Sequence, residues 1–145
     1  MLSDSKPTGG YHTFDHTADV GLEAWGATFE QALAEAGFGF QSITLGAGLV
    51  RPTQSRTFSV SAADEEALVV AWLSDLIFAF ETEGWLSATI EISVTGATSF
   101  LALCRGETLD ENRHEVAGGV KAVSYHELLV QRDESGVRFR VILDV

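Results

Sequence analysis

The run Val137-Arg138-Phe139-Arg140-Val141-Ile142-Leu143-Asp144-Val145 keeps a strand pattern to the last residue of the chain. Chain ends are as a rule ragged and polar, so an end that still alternates predicts a terminus tied into a sheet. A second segment near the start, Phe14-Asp15-His16-Thr17-Ala18-Asp19-Val20-Gly21, leads into another alternating run. There Val20, Leu22 and Ala24 form one face, and Asp19, Gly21, Glu23 and Trp25 the other, the signature of a half-buried strand. In the terminal run Val141, Leu143 and Val145 oppose Asp144, so each strand carries a carboxylate on its less apolar face. If the two strands meet, Asp19, Asp144 and the Val145 terminal carboxylate form a hard-oxygen cluster suited to a divalent cation. Two carboxylates without an Asp-rich loop are a weak metal signal, and spacing alone leaves open that both are solvated acids near strand ends.

The rest of the chain reads as one domain, as its 145 residues suggest. Residues 1–10 are polar and Gly-rich and predict a flexible tail before a domain spanning 11–145. Thr28-Phe29-Glu30-Gln31 resembles a capping box, and Phe29, Ala32, Leu33, Ala36 and Phe40 follow at helical spacing. Gly37 and Gly39 are expected to weaken the far end of that helix. A loop is expected around Gly46, Gly48 and Pro52, followed by a short strand over 57–61. A second helix opens at Asp64-Glu65-Glu66, whose charges suit its positive end, and stops at Gly84. Its stripe is Leu68, Val69, Trp72, Leu73, Leu76, Ile77 and Phe80. The second half is mostly β. It has a hairpin over 89–105, a charged connection over 106–119, and two long strands, 120–131 and 137–144, joined by a second hairpin turn. The order predicts an α+β fold with two amphipathic helices packed on a largely antiparallel sheet.

The charge balance excludes some functions. Nine Lys and Arg against 21 Asp and Glu give a net charge of −12. That argues against autonomous nucleic-acid binding, which needs clustered cations. No apolar run approaches the length of a membrane span, and no basic-then-apolar leader is present, so a cytoplasmic location away from membranes is expected. Cys104, the only cysteine, lies in the apolar run Phe100-Leu101-Ala102-Leu103-Cys104 and is expected to be buried and inert. His12 and His16 are four apart, but Gly9-Gly10 precedes them and a strand follows, so a helix that would put both imidazoles on one face is not expected, and no Cys or further His lies nearby to complete a zinc set. His114 and His126 stand alone as hydrogen-bonding or surface residues, while His16 is a candidate to orient a neighbouring carboxylate. Lys121, alternating with Val123 and Tyr125, either guards a sheet edge or offers a charge to phosphate or to a partner's acid. Phosphate-loop, dinucleotide and nucleophile-elbow signatures are absent.

The segments His16-Thr17-Ala18-Asp19-Val20-Gly21, Trp25-Gly26, Trp72-Leu73 with Leu76 and Phe80, and Thr82-Glu83 resemble the archease family. The resemblance resumes at Gly106-Glu107, Asp110, Arg113-His114, Val120-Lys121-Ala122-Val123-Ser124-Tyr125-His126 and Ile142-Leu143-Asp144-Val145, and so covers nearly the whole chain from Tyr11. Ser124 stands where Thr is expected, Ser74-Asp75 where Asn-Glu is usual, and Asp15 where Glu is common; none of these is a presumed metal ligand.

The resemblance implies a non-catalytic activator of an RtcB-type RNA ligase in tRNA splicing and RNA repair. Such a protein promotes guanylylation of the ligase and its multiple turnover. The resemblance also implies that Asp19, Asp144 and the Val145 carboxylate or carbonyl bind a divalent cation, calcium in relatives. Lys121, His16 and Asp15 are implied to couple the site to the partner or its nucleotide. A chaperone-like binding module, which would need an exposed apolar patch, and a metal-dependent hydrolase, which would need more carboxylate or histidine ligands, are the competing readings.

Overall fold

The computed structural model describes residues 9–16 and 19–145. Among these, nine strands and two helices follow in the order β1 (Gly9–His16), β2 (Asp19–Gly26), α1 (Phe29–Thr44), β3 (Leu45–Ala47), β4 (Gln54–Ser61), α2 (Glu65–Glu83), β5 (Trp85–Gly96), β6 (Ser99–Thr108), β7 (Glu115–Val116), β8 (Ala122–Asp133) and β9 (Gly136–Asp144). The α+β expectation of two helices on antiparallel strands holds. The strands divide into a four-stranded sheet, β1-β2-β9-β8, a three-stranded sheet, β4-β6-β5, and a small β3-β7 ladder. Every pairing is antiparallel. Both helices touch both larger sheets: α1 meets β1, β2 and β9 on one side and β5 on the other, and α2 meets β8 as well as β4 and β5.

Local chemistry starts each helix where the sequence says. The Thr28 hydroxyl accepts from the Gln31 amide, and the Gln31 side chain accepts from the Ala27 amide, one residue earlier than an ideal box. The Asp64 carboxylate accepts from the Ala67 amide at the head of α2. Gly84, in the left-handed conformation, caps its far end.

The sequence reading of α1 needs one correction. The helix does not weaken at Gly37 and Gly39 but continues to Thr44. A Cβ at Gly39 would lie 2.5 Å from the Leu22 Cδ1, and one at Gly37 would lie 2.9 Å from the Ile90 Cδ1. These glycines let α1 press against both sheets, and the packing outweighs their helix propensity of about 1 kcal/mol each.

Trp72 joins the layers. Its indole is fully buried, stands edge-on to Phe58 of β4 and Phe100 of β6, and donates to the Leu33 carbonyl of α1 at 2.8 Å. Around it pack Leu22 and Ala24 of β2, Phe139, Val141 and Leu143 of β9, and Leu33 and Phe40 of α1. Cys104 is fully buried, and burial pushes its thiol up to about 11, as an inert core thiol requires. The predicted tail boundary also shifts. Gly9 and Gly10, assigned to the tail, already pair with Gly26 and Trp25 as the start of β1; residues 1–8 lie outside the described residues.

Candidate functional site

The ladder between β2 and β9 brings Asp19 directly opposite Asp144. Its register continues with Gly21 opposite Ile142, Glu23 opposite Arg140 and Trp25 opposite Arg138. Directly paired residues point to the same face with Cβ atoms about 4.5–5.5 Å apart. The faces follow the predicted alternation. Leu22, Ala24, Phe139, Val141 and Leu143 are buried against the helices. Asp19 and Asp144 project from the outer face, each half-buried. Like charges directly across a ladder repel, and a cation between two such carboxylates offsets that repulsion.

The other predicted site residues fall around this pair in different ways. His16 is the ladder partner of Asp19 on β1, which puts its backbone beside the carboxylates; its side chain lies outside the described residues, as do Thr17 and Ala18. Asp15 pairs with Val20, so it belongs to the opposite face of the sheet from Asp19 and is exposed there. Val145 follows Asp144 and is 45% exposed. Lys121 donates its backbone N–H to the Asp144 carbonyl at 2.7 Å, which fixes it at the same end of the sheet. Its side chain, however, lines a recess against α2 with Ser74, Ile77, Phe78 and Glu81. The lysine is therefore at the rim but turned to the helix side.

The outer face beyond the carboxylates is held by charges and rings that spacing alone did not reveal. Glu23 takes His12 Nε2 at 2.9 Å, Arg140 at 3.0 Å and Arg138 at 3.4 Å. The Arg140 guanidinium lies 4.1 Å over the Phe14 ring and that of Arg138 4.9 Å over Trp25, in cation–π geometry. Gly21 makes room for Phe14: a Cβ there would fall 2.0 Å from the ring. These contacts fix β1 and β9 on either side of β2 and so fix the Asp19–Asp144 register. The signal was present in the cross-strand order Phe14, Gly21, Ile142, but reading it requires the pairing.

As a donor set, two carboxylates on one ladder rung suit a hard divalent cation, which takes oxygen ligands. They supply only part of the six to eight oxygens that calcium takes. Among the described residues there is no group of three or more His, Cys, Asp or Glu that could hold a metal ion. No helix of the described residues is long and apolar enough to cross a membrane.

A second polar cluster accounts for Gly106-Glu107, Asp110 and Arg113-His114. The Glu107 carboxylate accepts from the Arg51 amide at 2.7 Å and from the Arg113 guanidinium. The amide bond, followed by Arg113, holds this carboxyl below its ordinary range. His114 is buried. Its Nδ1 faces the Asp110 N–H at 2.9 Å and its Nε2 the Leu49 carbonyl at 3.1 Å. An N–H can only donate and a carbonyl only accept, so the proton sits on Nε2.

Residues 11–145 match the family model described as the Archease protein family (MTH1598/TM1083). Over 126 residues the chain is 28% identical to a protein archease of Thermococcus gammatolerans, an alignment covering 85% of this chain and 89% of that one. The fold is similar to the solution structure of Methanobacterium thermoautotrophicum protein 1598, with a TM-score of 0.76 and 27% identity over 94% of this chain and 99% of that one. It also shares the fold of a Thermotoga maritima archease described as a possible chaperone, with a TM-score of 0.64 and 21% identity over 91% and 94% of the two chains.

Proposed function

The chain belongs to the archease family, and from that premise we propose that it activates an RtcB-type RNA ligase without itself being the catalyst. The observation that supports this reading is the Asp19–Asp144 rung at the edge of the outer face. In this reading Asp19, Asp144 and Val145 hold a divalent cation, with calcium the ion to test first. A bound cation supplies charge neutralisation and a Lewis-acid contact for phosphate oxygens. The protein's own part is to hold two carboxylates at fixed spacing at one end of a sheet and to present them to a basic, phosphate-binding site. Lys121, anchored to Asp144 through its backbone but facing α2, acts on the partner and not on the cation. The protein thereby promotes guanylylation of the ligase and repeated turnover, in the cytoplasm.

The test is guanylylation of the ligase under turnover conditions with wild type, Asp19→Ala and Lys121→Ala, alongside calcium calorimetry and circular dichroism. Asp19→Ala is expected to keep the far-ultraviolet spectrum, lose calcium affinity by at least about tenfold and abolish stimulation, because hard-cation affinity depends steeply on the number of charged ligands. Lys121→Ala is expected to keep calcium binding and lose stimulation. Full stimulation by folded, calcium-free Asp19→Ala would remove the rim from the mechanism. The chaperone reading has less support. Leu101 and Leu103 share one exposed face of β6, while Leu49, Phe78 and Tyr125 lie on other segments of the chain.

A further inference from the structure

The segment between β3 and β4 carries Leu49, which at 81% exposure is the most exposed of the large apolar side chains among the described residues. An exposed leucine on a mobile loop would need no explanation. This loop is fastened from four directions. The Leu49 carbonyl takes the Nε2 proton of the buried His114 and lies 3.5 Å from the Arg113 guanidinium. The Arg51 amide donates to the buried Glu107 carboxylate, and the Thr53 amide donates to the Gly106 carbonyl at 3.1 Å. Gly48 turns with φ +115° and lies so close to the 113–114 backbone that a Cβ would come 2.3 Å from the Arg113 carbonyl oxygen. Glu107 and His114 bond the loop backbone at residues 51 and 49 and leave the Leu49 and Arg51 side chains outside. The result is an apolar knob set in one conformation, which removes the ordering cost of binding through it.

The charge beside the knob is informative. The Arg51 guanidinium is exposed and makes no ion pair among the described residues, in a chain with 21 acidic side chains against nine basic ones. We propose that the 49–52 loop is a preorganised protein-docking knob, with Leu49 entering an apolar pocket and Arg51 pairing with a carboxylate at its edge on the partner ligase. A second copy of this chain is disfavoured because both carry a charge of −12. An anionic lipid surface is disfavoured by the same repulsion. This surface rests on the proposed function for the partner's identity. It is distinct in residues from the carboxylate rim, so the two are separable.

The experiment measures the affinity of the RNA-free ligase for wild type, Leu49→Asp, Arg51→Glu and, as an equal-charge control on another exposed apolar residue, Val94→Asp. Guanylylation at saturating protein and sedimentation of each variant alone accompany it. Leu49→Asp is expected to weaken binding at least about thirtyfold and Arg51→Glu at least about fivefold, as a central anchor and a rim charge do. Val94→Asp is expected to match wild type, and stimulation is expected to return at saturation. Equal affinity of Leu49→Asp and Val94→Asp, or a change confined to self-association, overturns the knob and leaves the rim standing. No binding by wild type overturns both.

Discussion

Glu107 shows at the scale of one residue how a motif of unassigned chemistry becomes structure. Its carboxylate serves the Arg51 amide and the Arg113 guanidinium at once, and these partners hold its pKa below the ordinary value of 4.5. A depressed carboxyl pKa contributes stability that is present above the ordinary value and lost as pH falls through the folded value. Wild type is therefore expected to lose stability more steeply than Glu107→Gln between about pH 5 and pH 3. The amide of Gln keeps an acceptor for Arg51 but no charge to titrate. Urea midpoints measured across that range check this, and parallel curves for the two proteins would mean that the ion pair contributes nothing. Asp19 and Asp144 form the contrasting pair: they too sit in a fixed geometry, but the geometry sets like charges together.

Among the elements, α2 carries the most weight. Its N-cap Asp64 and C-cap Gly84 are local, whereas its stripe takes its meaning from what surrounds it. Trp72 touches β4 and β6 with its ring and α1 with its N–H. Trp72→Ala should cost about 3–5 kcal/mol, through the cavity and the loss of the indole's bond to the Leu33 carbonyl. Chemical denaturation checks it: a shift of the midpoint by less than about a kilocalorie's worth would mean the layers do not meet at this ring. The bidentate pair of Arg132 with Glu65, at 2.6 and 2.5 Å, ties the end of β8 to the head of α2 and holds the Glu65 carboxyl low. Arg132 also stacks 5.2 Å over Phe29, so the hairpin opposite the rim is fastened to both helices.

For the whole molecule the net charge of −12 governs encounter. A partner with a basic, phosphate-binding site attracts such a surface, and attraction of this kind raises association rates by one to three orders of magnitude at low salt. The association rate with the ligase is expected to fall at least about tenfold between 0.05 and 0.5 M salt. The dissociation rate, set by short-range contacts, is expected to move much less. Stopped-flow binding at a series of ionic strengths tests this; a rate independent of salt would show that steering plays no part. The rim sits at one end of a sheet whose other residues on the same face are mutually paired, Glu23 with His12, Arg138 and Arg140.

Much of this was legible in the residues. Alternation placed Asp19 and Asp144 on the polar faces of β2 and β9. Periodicity and caps located both helices, because capping bonds and amphipathic faces are short-range properties written within a few residues. Sequence could not choose which strands would be neighbours, since pairing is decided by which apolar faces share a core. The tertiary structure made β2 and β9 adjacent and set Asp19 on the same rung as Asp144. It also began β1 at Gly9 and Gly10, which were assigned to a tail, turned Lys121 toward α2, and folded Glu107 and His114 inward to hold the backbone at residues 49 and 51. Each of those outcomes depends on contacts between residues far apart in the chain, where local propensity has no reach and packing and hydrogen-bond satisfaction decide.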